Sequence, residues 1–263
     1  YSNGRSICVT PEHPTFVFSD GKIIEVRADI VKEGMLAPAP LFYRTQPKKE
    51  ITLQETERWH QNLKKMSFPR VLDKSLARFL GYFVSEGHSY KNVKNRYAEV
   101  GITNTNCVII EEVNSLWGDI FNVVPNILTQ NSPLRNNNVP VFISRCLSQF
   151  MYDFLRMNFP ELAVYSTTRA VPQKIRESAP ELQCEFLKTM FLGDGFVDSE
   201  RFGYITSSHE LAKGTQDILL NNGIWTYIAT DVREKGTYYK VVVSKESMQI
   251  FRDCIVSSSD KRN

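Results

Sequence analysis

Two segments of the 263-residue chain share one design, and they constrain its fold more than any other feature. Residues 76–87 (LARFLGYFVSEG) and 185–195 (EFLKTMFLGDG) are apolar helix-forming runs that end in a carboxylate followed by glycine. Such runs predict helices buried on nearly all sides, with the glycine in a left-handed C-cap. Burying an unpaired carboxylate is costly, so two of them at matched positions predict a shared cation beside Glu86 and Asp194.

Composition limits the class of protein without identifying it. With 42% hydrophobic residues, 23% charged residues and a net charge of +3, the chain resembles an ordinary globular protein whose charge permits nucleic acid binding. No apolar run suits a membrane span or a signal peptide, so we expect a cytoplasmic protein, or a nuclear one if the host is eukaryotic. The five cysteines are widely spaced and predict reduced core residues, and the four histidines do not form a metal set.

A repeated pattern predicts two similar halves. Residues 141–145 (VFISR) and 241–245 (VVVSK) both look like a strand followed by serine and a base, with an offset of 100 residues. Residues 101–105 and 204–208 are also alike, with an offset of 103. Each half therefore predicts a helix, strands, a middle helix with Asn or Ser at its N-cap, a strand pair and a helix.

The halves are expected at residues 72–170 and 171–263. Gly81 and Thr189 occupy equivalent places in the two apolar runs, and small residues there allow the two helices to pack closely. That packing would bring the acidic ends of the helices side by side.

The N-terminal part of the chain predicts a small β segment over residues 1–45. Short strands are expected at 7–9, 15–18 and 23–26, with a turn at 19–21. Residues 46–71 are interpreted as a linker with a helix, because the stretch from Thr52 to Lys65 is polar and helix-compatible.

Both apolar runs resemble the LAGLIDADG motif of homing endonucleases, with residues 79–87 and 187–195 aligned to its nine positions. The approach to the second run, residues 171–178, is similar to what precedes the motif in intein-borne members. The resemblance covers roughly residues 72–263. It implies an α+β, pseudo-two-fold fold of two αββαββα-like halves with saddle-shaped β-sheets, preceded by a small partial β segment.

The same resemblance implies an activity. It indicates a monomer with internal pseudo-dimer symmetry that cuts double-stranded DNA at a long recognition site, one strand at each active site. The cofactor would be Mg²⁺ or Mn²⁺.

The N-terminal segment is also similar to the Thr-x-x-His block of the intein protein-splicing (Hint) domain, through Thr10 and His13. In that family the two residues help to activate the first peptide bond that is rearranged. The chain starts with neither Cys nor Ser and does not end in a His-Asn pair. We therefore expect a splicing-like remnant rather than an active splicing element.

Phosphodiester hydrolysis requires an activated water, charge stabilisation at phosphorus and help for the leaving oxygen, and divalent metal supplies all three. Because Mg²⁺ prefers oxygen ligands, Glu86 and Asp194 are the predicted catalytic metal ligands. The resemblance adds the backbone carbonyls of Ser85 and Gly193. Lys240 is a candidate catalytic base on a strand; its counterpart at an offset of 100 is Pro140, and Lys94 or Arg96 are candidates in the first half.

DNA contacts are expected on the strands, because a two-stranded ribbon fits the major groove and turns alternate side chains outward. The candidates in the first half are Lys91, Lys94, Asn95, Arg96, Tyr97, Arg135 and Asn136. Those in the second half are Arg201, Tyr204, Arg233, Lys235, Tyr238 and Lys240. His88, two residues past Glu86, is interpreted as an exposed loop histidine, with contact to DNA as the alternative.

Two alternatives stay open. The first is a non-catalytic nucleic-acid binder on the same scaffold, such as an RNA maturase or a DNA-binding regulator; the two intact carboxylates argue against it. The second is a splicing element alone, against which the missing terminal nucleophiles argue.

Overall fold

The structure is a computed structural model that describes residues 1–39, 46–55, 66–94, 97–131, 139–198 and 201–255. The helices are α1 (Lys74–Glu86), α2 (Cys107–Phe121), α3 (Gln149–Asn158), α4 (Gln173–Arg176), α5 (Pro180–Asp194), α6 (His209–Asn221) and α7 (Met248–Ile255). The strands are β1 (Pro14–Ser19), β2 (Lys22–Arg27), β3 (Gly87–Asn92), β4 (Tyr97–Asn104), β5 (Asn126–Asn131), β6 (Pro140–Cys146), β7 (Gly195–Asp198), β8 (Arg201–Thr206), β9 (Thr226–Arg233) and β10 (Gly236–Val243).

Two four-stranded antiparallel sheets have the same internal order. The first is β3-β4-β6-β5 and the second is β7-β8-β10-β9. Each is preceded by a long helix, has a helix between its strand pairs and is followed by another helix. The predicted α+β fold of two αββαββα-like halves is therefore confirmed. The middle helices begin as expected, with Asn106 capping α2 and Ser208 capping α6.

The long helices α1 and α5 pack against each other at the centre of the molecule. A Cβ added to Gly81 would lie 2.1 Å from Thr189 Oγ1 and 2.2 Å from the carbonyl oxygen of Phe186, so only glycine permits this separation. Thr189 Oγ1 in turn donates a hydrogen bond of 2.7 Å to the carbonyl oxygen of Arg78 on the other helix. The predicted close approach at Gly81 and Thr189 is confirmed.

The glycines that end these helices differ from the expectation. Gly87 has φ −82° and Gly195 has φ −71°, both extended, so neither is a left-handed C-cap. The reason is that each helix runs directly into the first strand of its sheet. Glycine is needed because an added Cβ would lie 2.3 Å from the Phe83 carbonyl oxygen or 2.1 Å from that of Phe191.

Strand pairing corrects the offsets between the halves. Gly87 pairs with Ile102 and Gly195 with Tyr204, so these two partners are equivalent, at an offset of 102 rather than 103. Ile102 pairs with Ser144, and Tyr204 pairs with Val241.

The same pairing makes Lys240 the equivalent of Ile143, so Pro140 is not its counterpart. The prediction was wrong because consecutive apolar residues in β10 fit several alignments equally well. The offset between β6 and β10 differs from that of the preceding strands because the connections before them differ in length. Residues 132–139 link β5 to β6, whereas two residues link β9 to β10.

The N-terminal segment contains the β1–β2 hairpin, which confirms the expected strands at 15–18 and 23–26. Residues 7–9 are not a strand, and Thr52 lies in an extended segment bridged to Val71 rather than in a helix. Residues 56–65 of the expected helix lie outside the described residues. The extended segment is held because Leu53 N donates to the Arg70 carbonyl and Leu72 N donates to the Ile51 carbonyl.

Three further expectations concerned the Thr10 and His13 pair, the cysteines and membrane-spanning helices. Thr10 and His13 are exposed and share a turn, in which His13 N donates to the Thr10 carbonyl oxygen. All five cysteines are free, but Cys8 and Cys107 are exposed rather than in the core. Among the described residues, no helix has both the length and the apolar character that crossing a membrane requires.

Candidate active site

The ends of α1 and α5, which bear Glu86 and Asp194, lie against each other. A Cβ added to Gly193 would lie 2.6 Å from Ser85 Cβ and 3.2 Å from Glu86 Cγ, so the two helix ends are in van der Waals contact. Ser85 Oγ crosses the interface to donate a hydrogen bond of 2.9 Å to the Met190 carbonyl oxygen. The structure therefore places the helix ends that bear Glu86 and Asp194 against each other.

Arg169 connects the two helix ends and was missed by the sequence reasoning. Its side chain is only 6% exposed and donates to three carbonyl oxygens around the end of α1, those of Phe83, Val84 and Gly87. A helix C-terminus leaves such carbonyls without partners, and a buried guanidinium satisfies them. The signal available in the sequence was a lone base directly before the segment that leads to the second motif.

Asp194 lies in a largely desolvated position. Burial raises the pKa of its carboxyl group to about 6, and the nearby Arg169 charge offsets only part of that effect. A carboxylate in this state gains free energy from an additional cation.

Glu86 is oriented by a second residue that the sequence reasoning did not single out. Asn104 Nδ2 at the end of β4 donates a hydrogen bond of 2.9 Å to Glu86 Oε1. Asn104 Oδ1 accepts from the backbone N–H of Asn106, which fixes the amide in this orientation.

Tyr204 is not a DNA contact, contrary to the prediction. It is 1% exposed, and its hydroxyl lies 3.4 Å from Ser85 Oγ at the end of α1. Burial and the charge of Asp194 raise the pKa of the phenol, so it is neutral. The residue points inward because side chains alternate along β8, with Tyr204 and Thr206 on the buried face.

The donor set fits a hard divalent cation. The described residues contain no group of three or more His, Cys, Asp or Glu side chains that could hold a metal ion. Mg²⁺ keeps several waters and commonly uses only one or two carboxylates, so Glu86, Asp194 and adjacent backbone carbonyls suffice. The incompletely compensated Asp194 is consistent with such a site.

Some of the predicted DNA contacts lie on the face of their sheet that packs against the helices, and others lie on the outer face or in turns. Lys91 faces the helices, because its Nζ pairs with Asp153 of α3 at 3.3 Å and lies over the Tyr152 ring, so it does not project from the outer face as predicted. His88 lies on strand β3 rather than in a loop. Lys94 and Lys235 are exposed in turns. Asn95, Arg96, Arg135 and Asn136 lie outside the described residues.

Most of the remaining predicted DNA contacts lie on the outer face of the second sheet, where the cationic ones form ion pairs. Arg233 and Lys240 share Asp231, at 2.8 and 2.9 Å, and Arg233 also lies over the Tyr238 ring. Arg201 pairs with Asp198 at 2.5 Å. Exposed pairs of this kind are weak, so these cations can exchange their carboxylate for another anion.

Comparisons with known proteins agree with this architecture. A family model described as "LAGLIDADG-like domain" matches residues 73–156 and 181–255. The fold resembles the homing endonuclease I-DmoI in complex with DNA and Mn, with a TM-score of 0.53 and 20% identity, over 70% of this chain and 97% of that chain. It also resembles the homing endonuclease I-WcaI bound to its DNA recognition sequence, with a TM-score of 0.51 and 13% identity, over 70% and 81% of the two chains.

The curated proteins that are similar to this chain have names that are unrelated to one another. The chain is 29% identical over 252 residues to a component of the A-type ATP synthase of Pyrococcus abyssi, covering 93% of the chain and 23% of that protein. It is 24% identical over 196 residues to a glutamine–fructose-6-phosphate aminotransferase of Methanocaldococcus jannaschii, covering 72% and 17%. A DNA polymerase of Thermococcus sp. is 29% identical over 174 residues, covering 65% and 9%. The chain thus spans less than a quarter of the length of each of these relatives.

Proposed function

Since the chain belongs to the LAGLIDADG-like domain family, we propose that it is a site-specific double-strand DNA endonuclease of the homing type. One observation carries the proposal: the ends of α1 and α5 that bear Glu86 and Asp194 are in van der Waals contact. The likeness in fold to two homing endonucleases bound to DNA supports it. A single chain with two halves would act as a monomer, each half serving one strand of a long site.

The proposed cofactor is Mg²⁺ or Mn²⁺, held by Glu86 and Asp194 with the backbone carbonyls of Ser85 and Gly193. When bound, the metal supplies an activated water and stabilises charge at phosphorus and at the leaving oxygen. Asn104 orients the Glu86 carboxylate through its hydrogen bond, which reduces the cost of assembling the site. Arg169 fixes the end of α1 and thereby the position of Glu86 relative to Asp194.

Lys240 is the proposed base in the second half, where it would polarise the water or the leaving group. Its side chain is part-exposed on the outer face of the sheet, and its ion pair with Asp231 orients it there. Arg201, Arg233, Lys235, Tyr238 and Lys94 are the proposed DNA contacts. Cationic side chains at strand ends and turns suit phosphates, which position the duplex without reading its sequence.

The curated relatives support a further part of the proposal, that the chain is of the intein-borne type. Proteins with unrelated names share this segment while matching it over less than a quarter of their length. That pattern is expected of an insert carried by different hosts. The Hint-like character of residues 1–45, with Thr10 and His13, and the domain boundaries given above belong to the same proposal.

Cleavage of a plasmid library with a randomised insert tests the nuclease function. The wild-type protein with Mg²⁺ should linearise a subset of plasmids that share a sequence, and EDTA should prevent it. Glu86→Gln or Asp194→Asn should each lower double-strand cleavage by about 10²-fold or more while retaining DNA binding. Asp153→Asn, which changes an acid of α3 away from the site, is the matched control.

Two results would contradict the proposal. Cleavage by both amide variants at the wild-type rate would remove Glu86 and Asp194 from the chemistry. Sequence-selective binding without any cleavage by the wild type would instead favour the non-catalytic binder.

A further inference from the structure

The outer face of the first sheet carries four side chains that form one hydrogen-bonded group, which we call the Glu99 cluster: His88, Tyr97, Glu99 and Arg145. Arg145 Nη1 donates to Glu99 Oε2 at 2.9 Å, and the Tyr97 hydroxyl donates to the same oxygen. His88 Nε2 lies 3.0 Å from Glu99 Oε1. The carboxylate therefore has three partners, on the face of β4 opposite the buried Ala98 and Val100.

Glu99 is ionised within this group. Burial raises the pKa of its carboxyl, but hydrogen bonds from Tyr97 and His88 and the charge of Arg145 outweigh that effect and leave the pKa below its ordinary value. Its side chain is 13% exposed. An ionised, nearly covered carboxylate between several donors is a fixed anchor rather than a mobile surface acid.

Gly101 makes room for the cluster. It pairs with His88 on one side and Arg145 on the other, so all three project to the same face of the sheet. A Cβ added to Gly101 would lie 2.6 Å from the His88 ring and 3.1 Å from Arg145 Cβ. The glycine thus lets His88 and Arg145 close over β4 from its two neighbours.

Arg145 is held in a way that leaves part of its guanidinium for a ligand. Glu99 is the side chain's hydrogen-bond partner among the described residues, and it uses one of the five N–H groups. Nε is buried and has no hydrogen-bond partner in the described part of the chain, so ligand contacts must come from the two terminal nitrogens. Two parallel N–H groups at a fixed position match an acceptor pair such as guanine O6 and N7.

The place of Arg145 in the sheet favours a base over a phosphate. It lies on β6, which is an inner strand of the order β3-β4-β6-β5. If the sheet lies along the major groove, its inner strands would be nearest the base edges and its turns nearest the backbone. Phosphate contacts are accordingly expected from the exposed turn lysine Lys94.

We infer that Arg145, held by Glu99, reads a guanine in the half of the DNA site that lies on the first sheet. The inference rests on the proposed function, since it places the duplex on this face. The second sheet has different residues at the equivalent positions. Strand register matches His88 with Phe196, Glu99 with Arg201, and Arg145 with the buried Val242. The Glu99–Arg145 arrangement is therefore confined to one half of the site.

A binding selection tests the inference separately from cleavage. The full chain is incubated with randomised duplex DNA in EDTA, bound duplexes are recovered, and their base preferences are compared among variants. Wild type should show one strong guanine position. Arg145→Ala should lower that preference about 5- to 150-fold and leave the other positions unchanged. Lys91→Ala, a cation on the same sheet that faces the helices, is the control and should change nothing.

Arg145→Lys separates base reading from phosphate contact. Lysine keeps the charge but not the rigid pair of donors, so the guanine preference should fall while the salt dependence of binding stays as in wild type. Glu99→Gln, which keeps the shape but removes the charged anchor, should broaden the same single position. Thermal melting identifies any variant that fails to fold.

Retention of the guanine preference by Arg145→Ala, or a loss of affinity spread over all sequences in that variant, would overturn the inference. So would a wild-type selection that enriches no duplex. Enrichment with the guanine position but no cleavage with Mg²⁺ would support the inference and contradict the nuclease function.

Discussion

The spacing between α1 and α5 depends on Gly81, and a pair of identical substitutions can test that dependence. In Gly81→Ala, the new methyl group would lie 2.2 Å from the Phe186 carbonyl oxygen and 3.0 Å from the Met190 nitrogen. These are backbone atoms of the partner helix, and a normal contact requires them to retreat by about 1 Å. Gly118→Ala on α2 is the matched control, because Gly118 is exposed and an added Cβ meets nothing within 4 Å.

The two substitutions should have opposite signs. Alanine in a helix interior is favoured over glycine by about 1 kcal/mol, so Gly118→Ala should raise the free energy of unfolding by up to that amount. Gly81→Ala has the same propensity gain, but forced overpacking costs typically about 1 to 3 kcal/mol and more where backbone must move. After the propensity gain is subtracted, we expect a net destabilisation of up to about 2 kcal/mol, and more if the backbone of α5 must move.

Urea denaturation followed by circular dichroism gives both free energies. Because the helix pair carries Glu86 and Asp194, Gly81→Ala should also reduce cleavage at a temperature where the variant is still folded. Equal stabilisation by both substitutions would refute the argument, since it would mean that the two helices separate at no cost.

The remaining predictions concern the charged groups of the site. Burial raises the pKa of the Asp194 carboxyl from 3.8 to about 6 in the folded protein. The protonated carboxyl therefore contributes its full stabilisation of the folded state below pH 3.8, and this stabilisation is lost as the pH rises through 6. Asp194→Asn should therefore stabilise the metal-free protein by about 1 to 3 kcal/mol at pH 8 and hardly at all at pH 4, as measured by chemical denaturation. Arg169→Met leaves buried carbonyls without donors and should lower the free energy of unfolding by about 2 to 4 kcal/mol, and an unchanged denaturation curve would contradict its capping role. Lys240→Met breaks only an exposed pair with Asp231, so stability should change by less than about 0.5 kcal/mol. If Lys240 is the base, cleavage in that variant should fall about 10²-fold, and unchanged cleavage would exclude it.

Features that depend on short stretches of chain were predictable. The apolar runs identified α1 and α5, the small residues Gly81 and Thr189 identified their contact, and Asn and Ser identified the start of the middle helices. Helix periodicity, capping and duplication are all written within a few neighbouring residues. The paired position of Glu86 and Asp194 follows from that local information together with the repeat.

The tertiary structure alone decided which way strand residues face. Side chains alternate along a strand, so a shift of one residue in pairing moves each of them to the opposite face, and pairing partners are distant in sequence. That is why Tyr204 and Lys91, polar residues predicted to contact DNA, point toward the helices, while Arg145 points outward. Arg169 illustrates the same limit, because the carbonyls it caps at the end of α1 lie more than 80 residues earlier in the chain. The sequence by itself determined the two motif helices and their acidic ends, and long-range pairing decided which residues surround them.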